Sequence, residues 1–201
     1  MRRDHNPLEF INRIQKEKYK MLAIPIIVIV INFAVKMFIG VDFVKYISAV
    51  AMALYLIILW LYRLSHPNIE INESNLLAPV NGKILEIKKI EDGFQLIILK
   101  NWFQSSEIRT MSNLDLINEI EKTDQACFMV KGVWSKIFTE KNPHLQGQLI
   151  GVAPGKCMAY INIPDTYEIS ARLNDQLEAG VSILATSKNA SGDSNSGRDD
   201  E

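Results

Sequence analysis

The chain has 201 residues, enough for one modest domain and an anchor. With 22 Lys and Arg against 23 Asp and Glu the net charge is -1, and nothing in that balance points to bulk electrostatic binding of nucleic acid. The 2 Cys residues, Cys127 and Cys157, lack CxxC spacing, and the 3 His residues stand singly at positions 5, 66 and 144. Neither a disulfide framework nor a metal site is expected, and free thiols in a cytosolic domain are the default.

Residues 1–20 form a basic flank in which Arg2, Arg3, Arg13, Lys16, Lys18 and Lys20 outnumber Asp4, Glu9 and Glu17. It reads as a topogenic flank; Asn6-Pro7 also suits the start of a short surface helix with Leu8, Ile11 and Ile14 on one side. Residues 21–40 are apolar apart from Asn32 and Lys36, and match the ~20 residues that span a bilayer core. Pro25 is expected in the first turns of that helix, where a missing N–H costs little. Lys36 is expected near its far end, where it reaches the interface. The run is long, starts late and has no clear small-x-small site, which argues against a cleaved signal peptide.

After a short polar-tipped turn, residues 46–62 form a second apolar run, with Tyr46, Tyr55, Trp60 and Tyr62 suited to an interfacial belt and Arg63 behind them. Residues 21–63 therefore predict a transmembrane helical hairpin. The basic flank and Arg63 place both of its ends in the cytoplasm, and with them both termini and everything after Arg63. The expectation is a multi-pass protein of the cell (inner) membrane.

Residues 64–75 read as a linker, with His66-Pro67 in an exposed turn. From residue 76 the pattern changes to short β-type runs. Strands are expected at 83–90, 94–99, 127–130, 149–150, 157–163, 167–173 and 181–185. Glu91-Asp92-Gly93 is a hairpin turn with glycine where a positive φ is needed. Residues 114–122 fit helix or strand. Short strands with frequent turns predict a small barrel or sandwich over 76–186. Residues 187–201, rich in Ser, Asn, Gly and Asp, are expected to be a disordered tail.

The stretch 147–164 carries the functional question. Met158, Tyr160 and Asn162 alternate with Ala159, Ile161 and Ile163, and Pro164 ends the run. It is either a plain strand of a binding domain or a strand that begins at a self-processing site, Lys156-Cys157. Trp102 and Phe103, beside Lys100, fit either contact with a membrane interface or core packing.

Two phrases, Ala78-Pro-Val-Asn-Gly-Lys-Ile-Leu-Glu-Ile87 and Asn174-Asp-Gln-Leu-Glu-Ala-Gly-Val-Ser-Ile-Leu184, are similar to the opening and close of barrel-sandwich-hybrid domains. Biotinyl and lipoyl carriers of that kind present a Lys commonly set between two methionines. Lys156 is followed by Cys157 and Met158, so that signature is absent. A membrane-fusion-type adaptor needs the β domain outside the cytoplasm, against the positive flanks.

A fuller resemblance, from about Leu61 to Ala185, is to the phosphatidylserine decarboxylases in their short, membrane-anchored form. It rests on Leu61-Tyr-Arg63 with Pro67, on Leu77-Ala-Pro-Val-Asn-Gly-Lys-Ile84, on Val130-Lys-Gly-Val-Trp-Ser-Lys-Ile137, on Gly147-Gln-Leu-Ile-Gly151, and on the strands 157–164 and 176–185. It implies a mainly-β domain of that family's type behind the hairpin, placed in phospholipid metabolism at the lipid bilayer. Family members cleave themselves at a Gly-Ser pair, using an Asp-His pair, and so generate a pyruvoyl cofactor for decarboxylation. Asn81 stands where the family has Asp.

The family's Asp-His segment aligns on Leu99-Lys-Asn-Trp-Phe-Gln-Ser-Ser-Glu-Ile-Arg109. Gln104 and Ser106 then hold the Asp and His positions, and Arg109 is retained. Counted back from Pro164, the Gly-Ser pair falls on Lys156-Cys157; matching Gly155 instead puts Lys156 at the nucleophile position. On either alignment the family's Ser, Asp and His are absent.

The resemblance therefore implies a non-catalytic scaffold with no cofactor, binding phospholipid headgroups or a protein partner, with Trp102, Phe103 and Arg109 as contacts. Its alternative is an active carboxy-lyase whose pyruvoyl derives from Cys157 after an acyl shift, with His144 the one histidine close in sequence to act as base. Against that stands Cys157 as a small buried apolar residue.

Overall fold

The computed structural model describes residues 7–40, 43–65, 67–112, 126–138 and 145–188. All three histidines, the 114–122 segment and residues 189–201 of the expected tail lie outside the described residues. The chain divides between Arg63 and Leu64 into two compact units.

The first unit is two helices, α1 (Pro7–Ile39) and α2 (Val44–Leu61), packed on each other. Both are long and apolar enough to cross a membrane, and only 17% of each apolar window is buried. Buried residues in α1 recur as Phe10, Ile14, Leu22, Pro25 and Asn32, and in α2 as Val44, Ala51 and Leu61. The spacings, 4, 8, 3 and 7 residues in α1 and 7 and 10 in α2, are sums of threes and fours, as along one helix–helix seam. The remaining faces expose Ile24, Ile27, Val30, Ile31, Phe33, Phe38 and Leu56, an arrangement water does not favour.

Two expectations are corrected in this unit. The basic flank does not form a separate surface helix: from Pro7 it continues into α1 without a break. Pro25 consequently lies in the helix interior, not in its first turns. There its missing N–H leaves the Met21 carbonyl without its intrahelical donor. Gly40, at φ +70°, donates its N–H to the Lys36 carbonyl (3.1 Å) at the end of α1, the usual glycine stop.

The second unit is mostly β, with a sheet that curls as a half-barrel. Its strands are β1 (Asn75–Leu77), β2 (Gly82–Ile90), β3 (Gly93–Lys100), β4 (Glu107–Arg109), β5 (Cys127–Gly132), β6 (Lys136–Ile137), β7 (Leu149–Val152), β8 (Cys157–Pro164), β9 (Tyr167–Ile169), β10 (Gln176–Leu177) and β11 (Ile183–Ser187). They form a five-stranded sheet in the order β10-β2-β3-β8-β5 and two three-stranded sheets, β1-β11-β9 and β4-β7-β6. Every named pairing is antiparallel.

Alternation decides which side chains enter the core. Leu96 and Ile98 of β3 point inward with Ala159, Ile161 and Ile163 of β8, and all are buried. In β2 the run Ile84, Leu85, Ile87 does not alternate strictly. A bulge between Ile84 and Glu86 absorbs the mismatch and leaves Leu85 exposed. Glu91 and Asp92 turn the β2–β3 hairpin, with Gly93 at φ +143°.

Described residues between 64 and 75 bond to or pack on the β domain, so the stretch is not a free linker. The Ser65 N–H donates to Glu107, Ile69 packs against Gly147, the Asn72 N–H donates to Gln146, and Asn75 belongs to β1. The expected strand at 167–173 stops at Ile169, and the last strand starts at Ile183, not 181. Val181 and Ser182 instead close a turn, both donating to the Glu178 carbonyl.

Candidate functional site

Of the residues singled out by the sequence, Trp102, Phe103, Gln104, Ser106, Lys156 and Cys157 belong to one end of the five-stranded sheet or to the turns that cover it, and Arg109 does not. There β3 ends at Lys100, β5 ends at Gly132, and β8 begins at Cys157; the register pairs Cys157 with Lys100 on one side and Gly132 on the other. Three turns cover this end: residues 101–106, 133–135 and 153–156.

Lys100 continues the inward phase of Leu96 and Ile98, so its side chain enters the domain and has no exposed surface. Its Nζ donates to the Gly155 carbonyl at 2.9 Å and lies 3.5 Å from the Asn101 carbonyl. Lys100 therefore does not flank the aromatic pair at the surface, as its sequence position suggested. It fastens the 153–156 turn from inside. The Ala153 N–H donates to the Ser106 carbonyl at 2.7 Å, a second link between that turn and the 101–106 segment.

Gly155 is required at its position for two reasons. Its φ is +91°, and a Cβ there would lie 2.8 Å from Cζ3 of Trp102, whose ring covers it. At Gly132 a Cβ would lie 2.7 Å from the Cβ of Cys157, so only glycine lets β5 approach β8 here. Cys157 is thus enclosed by strand neighbours. It is 4% exposed and part of the hydrophobic core. Burial pushes its thiol pKa above the ordinary value, opposed by the positive charge of Lys100. Cys127, five positions earlier along β5 than Gly132, is an exposed free thiol.

Lys156 is exposed at the turn. Gln104 is half-buried, accepts the Asn101 N–H at 2.8 Å and lies 3.5 Å from the Gln176 side chain. Ser106 is fully buried. The structure therefore brings together the segments holding Lys156-Cys157 and Gln104-Ser106. It supplies no carboxylate or imidazole from the positions the resemblance equates with Asp and His. His144 lies outside the described residues.

Trp102 and Phe103 are 45% and 74% exposed. Beside them the 133–135 turn presents Val133 at 90% and Trp134 at 46%. The Trp102 and Trp134 rings meet edge to face, with centroids 6.0 Å apart. Arg109, expected as a lipid contact with them, is not on this surface. It is 7% exposed, and its Nη1 and Nη2 donate to the Gly147 and Ser65 carbonyls. Burial lowers its pKa, while Glu107 and Glu178 favour its charge.

A buried polar cluster went unrecognised in the sequence. Glu107 accepts from Asn81 Nδ2 (2.7 Å) and Ser105 Oγ (2.9 Å) at one carboxylate oxygen and from the Ser65 N–H (3.1 Å) at the other. Asn81 Oδ1 in turn accepts the Ala179 N–H. Glu107 and Arg109, two residues apart on β4, thus hold the N–H and the C=O of Ser65 respectively. The one available signal was the pair of charges flanking Ile108 in a short run.

Comparison of the chain with protein-family models, with curated proteins and with solved structures found no match.

Proposed function

We propose that this chain is a membrane-anchored, phosphatidylserine-decarboxylase-related protein of phospholipid metabolism, acting as a non-catalytic scaffold that binds lipid or a partner. In this reading α1 and α2 span the cell membrane as a hairpin, with both termini and the β domain in the cytoplasm, on the side marked by the basic flank and Arg63. The β domain is a barrel-sandwich hybrid of the decarboxylase type.

One observation carries the reading. The 153–156 turn is tied to the 101–106 segment by Lys100 and Ser106, which is the neighbourhood a self-processing site of that family requires. The groups at the key positions are Gln104, Ser106 and a thiol enclosed by Gly132 and Lys100. A nucleophile of this kind needs an adjacent base and an orienting acid, and these positions offer neither. The frame supports lineage; its contents support loss of the chemistry.

The test is to reconstitute the full chain in phosphatidylserine vesicles. No CO2 release and no phosphatidylethanolamine are expected. Turnover abolished by Cys157→Ala would replace this reading with that of an active enzyme. Protease accessibility of the β domain, in sealed vesicles of known orientation, tests the proposed side of the membrane.

A further inference from the structure

We infer that the aromatic end of the β domain docks onto an anionic bilayer surface, with Trp102, Phe103, Val133 and Trp134 inserted at the interface. The inference rests on the membrane-anchored reading and names the ligand of the scaffold. Two independent observations carry it.

The first is composition. Two separate turns place four large apolar side chains on one surface, and the Trp102–Trp134 contact makes it continuous. Single exposed apolar residues need no explanation, but a contiguous aromatic patch held by a fixed framework does. Tryptophan and phenylalanine are among the side chains that insert at the boundary of headgroups and acyl chains.

The second is charge. Residues 99–106, 126–138 and 145–163, which supply the three turns and the strands leading to them, contain no Asp or Glu. Lys131, Lys136 and Lys156 are exposed on these same segments. Lys131 lies over the Tyr160 ring, 5.2 Å from its centroid, on the outer face of the sheet. Cations on the segments that carry an apolar patch, with no acidic residue among them, match an anionic surface.

The 3 Trp residues make a direct test possible. The full chain carrying Trp60→Phe reports only Trp102 and Trp134. It is reconstituted in phosphatidylcholine vesicles, with or without phosphatidylglycerol, containing lipid brominated near the headgroup end of its chains. Bromolipid should quench the emission strongly in phosphatidylglycerol vesicles. Lys131→Gln with Lys156→Gln should weaken docking on the order of 30-fold there. Equal quenching in neutral and anionic vesicles would overturn the anionic assignment. No quenching in either would overturn docking and leave the patch to a protein partner. The variant Trp102→Phe/Trp134→Phe, which keeps Trp60, separates the two failures: quenched Trp60 with unquenched Trp102 and Trp134 sinks docking alone, whereas unquenched Trp60 sinks the anchor reading itself.

Discussion

Lys100 and Gly155 are joined by a 2.9 Å hydrogen bond from a lysine with no exposed surface to a turn carbonyl. The bond ties the last inward residue of β3 to the turn that precedes Cys157. Lys100→Ala removes both the buried stem and the donor, and should destabilise the β domain by about 2–4 kcal/mol. Lys100→Met keeps the stem, so its cost should be smaller, about 1–3 kcal/mol, from the unpaired carbonyl. Urea unfolding of the detergent-solubilised full chain, followed by tryptophan emission, measures both. Equal loss in the two variants would mean that the hydrogen bond dominates.

Gly155→Ala should cost about 1–2 kcal/mol for a side chain at φ +91°, and it should also push the Trp102 ring off the turn. The edge-to-face contact with Trp134 would then be lost, and near-ultraviolet circular dichroism should show it. An unchanged spectrum would contradict the packing of Trp102 over Gly155.

Two thiols should separate by reactivity. Cys127 is exposed and should react with a thiol reagent in the folded protein, while Cys157 should react only after unfolding. The pH dependence has a defined sign. Burial raises the folded pKa of Cys157 above its unfolded value, so the folded state holds this proton more tightly. The resulting stability is fully present below the ordinary thiol pKa and is lost as pH rises through the raised folded value. Cys157→Ser should flatten that alkaline loss.

Glu107→Ala leaves Asn81 Nδ2, Ser105 Oγ and the Ser65 N–H without their shared acceptor, and should cost about 2–4 kcal/mol. It should also free Ser65, so that limited proteolysis cuts residues 64–75 faster than in the parent chain. Glu107→Gln should be intermediate, because an amide presents one acceptor oxygen where the carboxylate uses two.

What the sequence disclosed follows from how each element is stabilised. The helices show as apolar runs, and β2, β3, β5 and β8 show as alternating or continuous β-type runs, because their side chains go directly into a core or an apolar face. The two- and three-residue strands β4, β6 and β10 have no period to read. Strand β4 is hidden further because two of its three buried residues are Glu107 and Arg109, which read as surface until their partners, Asn81, Ser105 and Ser65, are known. Lys100 was legible in principle: it sits two residues after Ile98 and four after Leu96, but charge outweighed phase. Trp134 gives no such sign, since its meeting with Trp102, 32 positions away in sequence, depends on two turns being brought to one end of the sheet.

A non-catalytic scaffold keeps the Lys156-Cys157 peptide bond intact. Intact-mass spectrometry of the purified 201-residue chain, with and without a carbonyl-trapping hydrazide, tests this most directly. A single species at 22.8 kDa that takes up no hydrazide is the expected result. Two fragments meeting between Lys156 and Cys157, the C-terminal one trapped by hydrazide, would contradict it and make Cys157 the source of a pyruvoyl group.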